Sequence, residues 1–100
     1  MDCWQDEIRR ATTEAEVVNK AADYLTLWAE VELEPLRLGW RDFTIESAAD
    51  VERVKRWLVE SVNATQVLLP NASELRELAS YFWHAAARIG ELRDAQRVLH

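Results

Sequence analysis

An unbroken pattern of apolar side chains in the last third of this 100-residue chain constrains its fold more than any other feature. Apolar residues recur there at steps of three and four, the spacing at which side chains share one face of an α-helix. The positions are Leu75, Leu78, Phe82, Ala85, Ile89, Leu92, Gln96 and Leu99, and Gln96 is the one polar member. Asn71 and Glu74 have the spacing of a capping box that begins this helix. The pattern predicts a long helix whose apolar seam packs either inside the domain or against a second copy.

Two further helices are predicted in the first third of the chain. Residues 2–11 place acidic side chains early and arginines late, as the helix dipole favours. A capping box, Thr13–Glu16, then begins a second helix. This helix should run to Glu34, because Pro35 disfavours a helical residue before it. Its apolar side is formed by Val17, Val18, Ala21, Leu25 and Trp28.

The middle of the chain predicts a less regular segment followed by a third helix. Residues 36–46 alternate apolar and polar side chains, which is typical of extended chain, so a short hairpin or an ordered loop is expected. Ser47, with Asp50 three residues later, fits the N-cap of a helix that ends near Asn63. Residues 67–70 are predicted to be a connection that packs on the core.

Together these patterns predict a single all-α domain over residues 1–100, a compact bundle of about four helices with a short irregular or extended segment near residues 36–46. Two glycines and two prolines are too few for a β-sandwich or barrel, which needs many turns. The single cysteine, Cys3, cannot form an internal disulfide. There is no apolar run of about 18 residues and no secretory signal, so a cytoplasmic location is expected.

Five tryptophans are many for a domain of this size to bury. Trp28 lies on the apolar side of the second helix and Trp57 borders the inner face of the third. Both are therefore predicted to be core residues. Trp83 lies beside the seam of the last helix, and Trp40 lies in the irregular segment.

The net charge of −6 is distributed unevenly along the chain. Residues 1–36 hold nine acidic and three basic side chains, whereas residues 37–100 hold nine of each. Glu30, Glu32 and Glu34 crowd the predicted C-terminal end of the second helix. The helix dipole disfavours each acid there by about 0.3–1 kcal/mol. Such conflict with a stability rule indicates a functional surface, and the alternative is a solvated helix end.

The acidic side chains of the second helix predict a protein-binding surface. Several of them recur at helical spacing on the side opposite the apolar face. An acidic surface is complementary to the basic grooves that bind nucleic acid. The expected partner is therefore a basic protein or ribonucleoprotein complex, and not free nucleic acid or a membrane. A second contact is predicted in the irregular segment, because tryptophan and arginine are common interface anchors. The predicted contact residues are Glu16, Asp23, Glu30, Glu32, Glu34, Arg37, Trp40 and Arg41.

In length, acidity, helical character and lack of catalytic motifs, the chain resembles the small phage-encoded anti-CRISPR proteins. This resemblance implies an inhibitor that binds a guide-RNA effector complex and blocks its DNA-binding surface. Antitoxins and immunity proteins have the same general character, since they cover a basic toxin surface, and they are an alternative. A homodimeric interaction module built on the last helix is another.

The sequence contains no motif for catalysis or for a cofactor. It has no glycine-rich phosphate loop, no H-E-x-x-H and no paired cysteines. Cys3, His84 and His100 are too scattered to predict a metal site. One enzyme alternative rests on Arg93 and His100, because an arginine followed by a histidine a few residues later marks the helical HEPN ribonucleases. Arg93-x6-His100 is similar, and this resemblance implies RNA cleavage by these two residues.

Overall fold

The computed structural model of the protein describes residues 4–32, 43–68 and 73–98. These ranges form four α-helices, which are α1 (Trp4–Arg10), α2 (Glu14–Glu32), α3 (Ala48–Leu68) and α4 (Ser73–Val98). The prediction of an all-α bundle of about four helices is confirmed. Residues 43–46, the described part of the predicted irregular segment, are non-helical, and residues 36–42 lie outside the described residues.

The long helix α4 is the centre of the bundle, because α1, α2 and α3 each pack against it. Five residues of its predicted seam are at most 4% exposed, and these are Leu75, Leu78, Phe82, Ala85 and Ile89. Leu92 packs at the edge of the core and Gln96 is exposed, while Leu99 lies outside the described residues. The seam is thus buried within the chain's own core at these five positions, which is the internal alternative.

The other three helices complete a core in which none of the described buried residues is charged. Each large side chain buried in this way contributes about 1.5–3 kcal/mol of hydrophobic stabilisation. The contributing residues are Ile8 and Ala11 from α1 and its end, Val17, Val18, Ala21 and Leu25 from α2, and Val51, Val54 and Leu58 from α3.

The predicted N-caps of α2 and α3 are confirmed. The hydroxyl of Thr13 accepts a hydrogen bond from the backbone N–H of Glu16 at 3.2 Å. At α3, the carboxylate of Asp50 accepts hydrogen bonds from the backbone N–H groups of Glu46 at 2.9 Å and Ser47 at 3.1 Å. The bond from Glu46 is the largest cause of a lowered pKa of Asp50. The cap predicted for α4 at Asn71 lies outside the described residues.

The predicted end of α3 is wrong. The helix continues past Asn63 to Leu68, so residues 67 and 68 are helical rather than part of a connection. Asparagine and threonine cost at most about 0.7 kcal/mol each within a helix. That cost does not outweigh the backbone hydrogen bonds that a continuing helix makes.

Two arginines of α4 form hydrogen bonds to the segment where α1 ends and α2 begins. Arg88 donates to the backbone carbonyl of Ala11 through Nε at 3.2 Å and Nη2 at 2.9 Å. Arg93 forms a bidentate pair with Glu14, with Nη2 to Oε1 at 2.7 Å and Nε to Oε2 at 3.1 Å. Both contacts join residues more than 75 positions apart in the sequence. They fix the turn between α1 and α2 against α4.

Candidate protein-binding surface

The net charge of the described helices lies on α2. Five acids less one lysine leave α2 at −4, whereas α1, α3 and α4 each hold equal numbers of acidic and basic side chains. Among the described helices, α2 is therefore the one that carries a net negative charge.

In the three neutral helices, five local ion pairs join acidic and basic side chains. The pairs join residues three apart on one helix and lie on the surface, where such pairs contribute little to stability. They cancel charge within each helix. The pairs are Asp6–Arg9, Asp50–Arg53, Glu52–Lys55, Arg88–Glu91 and Asp94–Arg97.

The two acids at the start of α2 have structural partners. Glu14 pairs with Arg93, and the hydrogen bond from this arginine is the main cause of a lowered pKa of Glu14. Glu16 was predicted as a contact residue. Its carboxylate accepts hydrogen bonds from the hydroxyl of Thr12 at 3.2 Å and from the Thr12 backbone N–H at 3.4 Å. Glu16 thus belongs to the helix cap, and its role in binding stays a prediction.

Asp23, in the middle of α2, is placed differently. It is exposed, and none of the six ion pairs among the described side chains includes it. Leu27 lies one helical turn later and is 70% exposed. The charge of Asp23 also reaches the core, because it is one cause, after burial, Glu7 and Tyr24, of a raised pKa of Tyr81.

Glu30 and Glu32 lie in the last turn of α2, which contains no basic residue. The backbone therefore places these two predicted contact residues where the helix dipole is negative. Their side chains are outside the described part of the structure, and so are Glu34, Arg37, Trp40 and Arg41. The structure thus brings Asp23, Glu30 and Glu32 onto one helix and does not test the second predicted contact.

Trp28 is 43% exposed, so its prediction as a core residue is wrong. Tyr24 takes the inner position instead, because its ring stacks on Tyr81 with the ring centroids 3.7 Å apart and the planes within 3°. Trp28 packs at the outer side of Tyr24, with ring centroids 6.1 Å apart. The sequence interpretation missed this row, although the four-residue spacing of Tyr24 and Trp28 was a signal for it.

The other tryptophans differ in burial. Trp57 is half-buried against Phe43, with ring centroids 4.8 Å apart, so it packs on the core rather than in it. Trp83 is 57% exposed on α4, and the ammonium of Lys55 lies 5.2 Å from its ring centroid. Asp23 and Leu27, together with Glu30 on the same side of the helix by its register, are hereafter called the α2 surface.

The enzyme alternative rests on Arg93 and His100. Arg93 binds Glu14, and His100 lies outside the described residues, so the ribonuclease alternative stays a prediction. The Nδ1 atom of His84 lies 2.8 Å from the carbonyl oxygen of Ser80. Within the described ranges, no three His, Cys, Asp or Glu side chains are grouped to hold a metal ion. None of the helices in those ranges combines the length and apolarity needed to cross a membrane.

No family model matches this chain, and neither a curated protein nor a solved structure does. The chemistry of the α2 surface is therefore what indicates a function.

Proposed function

We propose that this protein is a non-enzymatic inhibitor whose α2 surface occupies a basic, nucleic-acid-binding surface on a partner protein or ribonucleoprotein complex. The observation that carries this proposal is the charge of −4 on α2 beside three neutral helices. A sequence that used acidity only for solubility would have no reason to concentrate most of its net charge on one helix.

The concentration of acidic residues on α2 favours direct contact with a partner over long-range attraction by the net charge. At physiological ionic strength, charges are screened over about 8 Å. A diffuse net charge would therefore do little, whereas acids within one contact surface would face the partner's lysines and arginines at short range. The negative end of the α2 dipole adds to the same field. Such complementarity speeds association and excludes partners of the wrong charge.

This protein would compete with nucleic acid for the basic surface of the partner. A groove that binds nucleic acid neutralises phosphates with lysine and arginine side chains. A folded protein that presents carboxylates to the same side chains prevents the phosphates from binding. The resemblance to anti-CRISPR proteins favours a guide-RNA effector complex as the partner, and a basic toxin is the alternative with the same chemistry.

The test begins with capture of a partner from nuclease-treated host lysate on the immobilised protein. The captured partner is then purified and bound to labelled nucleic acid, and displacement by increasing amounts of this protein is measured. We expect the parent protein to displace the nucleic acid. The double variant Asp23→Lys with Glu30→Lys should fail to do so while keeping the parent's far-UV circular dichroism.

The matched control reverses two exposed acids on the neutral helices, Glu60→Lys with Glu77→Lys. Each reversal changes the charge by +2, so both double variants move the net charge from −6 to −2. The control should still displace nucleic acid. Equal loss in both double variants would attribute the effect to net charge, and undiminished displacement by the α2 variant would exclude α2 as the contact.

A further inference from the structure

The outer side of α4 carries five exposed residues at helical spacing. They face away from α2, because Tyr81, which stacks on Tyr24 of α2, precedes Trp83 by two residues. Two successive steps along a helix turn the side-chain direction by about 200°. These residues are therefore distinct from the buried seam of the same helix. They are Arg76, Trp83, Ala87, Gly90 and Asp94, hereafter called the α4 strip.

Two members of the α4 strip are not required by the fold of a single copy. Trp83 is 57% exposed, and tryptophan is enriched at the centres of protein interfaces. Gly90 lies inside a helix, where glycine costs about 1 kcal/mol relative to alanine. A Cβ there meets no atom within 4 Å beyond the adjacent residues and the nearby backbone of its own helix. Since glycine permits close approach to the backbone, Gly90 suits a contact from outside the chain.

A cavity of about 320 Å³ adjoins Gly90 in the groove between α3 and α4. Small side chains such as Ala48 and Ala86 form part of its wall, and Glu52 and Arg93 supply polar groups. Its volume lies at the lower end of the range for pockets that enclose drug-sized ligands, so it can admit one indole ring. The indole of the same copy does not line this cavity.

The α4 strip is complementary to itself when a second copy lies antiparallel across it. A two-fold axis level with residue 85, near the middle of α4, pairs positions that are equally far from that level. Arg76 and Asp94 are each nine positions away, so the arginine of one copy lies opposite the acid of the other. Trp83 lies opposite Ala87 in the same way. Because helical side chains lean toward the N-terminus of their helix, the indole then extends toward Gly90 of the second copy.

The charges of the facing helices permit this approach. α3 and α4 are each neutral, whereas α2, which carries −4, packs on the opposite side of α4. Asp94 pairs with Arg97 of its own helix at 3.6 Å, and the two side chains are 75% and 80% exposed. Such a surface pair contributes little, so Asp94 can exchange it for Arg76 of a second copy.

The size of the contact fits a weak dimer. The 26 residues of α4 form a helix about 39 Å long and about 10 Å wide. Full-length pairing therefore covers roughly 400 Å² on each copy, and the facing part of α3 adds to it. The total approaches the roughly 1,000 Å² of a specific interface. We therefore expect micromolar affinity.

We propose that two copies of this protein associate through the α4 strip, with Trp83 of each copy packed on Gly90 and in the adjoining cavity of the other. Arg76 of each copy pairs with Asp94 of the other at the two ends of the contact. The dimer carries its two α2 surfaces on its outer sides. This inference does not depend on the proposed function, because α2 takes no part in the contact.

The test is sedimentation velocity of the full chain over a concentration series up to about 500 µM at physiological ionic strength. We expect a reversible dimer with a micromolar Kd. Trp83→Gln removes the ring and Gly90→Leu fills its place, so each should weaken the dimer at least about tenfold. Both variants should keep the parent's far-UV circular dichroism. The matched control Trp28→Gln removes the exposed tryptophan of α2 and should leave the Kd unchanged.

A charge exchange tests the antiparallel register. Arg76→Glu and Asp94→Arg should each weaken the dimer, because each places like charges opposite one another. The double variant should restore the dimer, since opposite charges face each other again. Failure of the double variant to restore it would exclude this register.

Three other results would overturn the dimer and leave the proposed function standing. The first is a parent chain that stays monomeric at about 500 µM. The second is a dimer that survives both Trp83→Gln and Gly90→Leu, or that is lost in Trp28→Gln, since the contact then lies elsewhere. The third is a monomeric parent whose capture of a partner is abolished by Trp83→Gln, which would place that partner on the α4 strip.

Discussion

Removal of the Arg88 guanidinium should lower the free energy of unfolding more than removal of any other charged side chain among the described residues. In the parent protein, two of its N–H groups donate to the carbonyl of Ala11, a residue that is 1% exposed. A hydrogen bond from a charged group contributes about 1.5–3 kcal/mol, and a buried carbonyl left without a donor costs a similar amount. We expect Arg88→Ala to lower the free energy of unfolding by about 2–3 kcal/mol.

Arg93→Ala is the matched comparison. Arg93 also makes two hydrogen bonds to the beginning of the chain, at 2.7 and 3.1 Å. Its partner is the Glu14 carboxylate, and the two side chains are 53% and 36% exposed. Because water can replace an arginine at such a site, Arg93→Ala should cost much less than Arg88→Ala. The two variants therefore compare equal numbers of bonds at different degrees of burial.

Urea denaturation followed by far-UV circular dichroism measures both variants. For a domain of this size, the loss expected for Arg88→Ala corresponds to a fall in Tm of about 10–20 °C. Arg88→Lys, which keeps the charge but cannot reproduce the planar pair of donors, should lie between Arg88→Ala and the parent. If Arg88→Ala is no more destabilising than Arg93→Ala, burial of the acceptor is not what decides the strength of these contacts.

Three further predictions concern the core, a helix interior and a cap. Phe82→Ala should lower the free energy of unfolding by about 3–5 kcal/mol in urea denaturation, because Phe82 is fully buried. Gly90→Ala should raise it by about 0.5–1 kcal/mol and increase Tm, since a Cβ there meets no atom within 4 Å beyond the adjacent residues and the nearby backbone of its own helix. Asp50 has a lowered pKa in the native state, so its stabilisation is present above the unfolded-state pKa of about 3.9 and lost as pH falls through the native value. Asp50→Asn should therefore weaken the decline of the urea midpoint below about pH 4.

The parts of the fold that were predicted correctly depend on local rules. The spacing of three and four in α4 predicted its buried face from Leu75 to Ile89, because that spacing is fixed by helix geometry. The caps at Thr13 and Ser47 were likewise predictable, since cap and acid lie three residues apart. The end of α3 was not, because weak helix formers after Asn63 do not by themselves stop a helix that is already formed.

The parts of the candidate site that were missed depend on distant residues. No local pattern indicates that Glu14 pairs with Arg93, which lies 79 positions away. The burial of Trp28 depended on whether Trp28 or Tyr24 would face Tyr81 of α4, and helical spacing allows either. By contrast, the acids at 23, 30 and 32 were found on α2 because charge and helical register can both be read from the sequence.

The central position of α4 has a consequence for synthesis of the protein. The ribosome makes α1, α2 and α3 before the helix against which all three pack. At about 5–20 residues per second, the 26 residues of α4 take about 1–5 s to make. During that time apolar side chains such as Val17, Leu25 and Val51 lack their main packing partner. The nascent chain should therefore remain accessible to chaperones until α4 has left the exit tunnel, and fold only then.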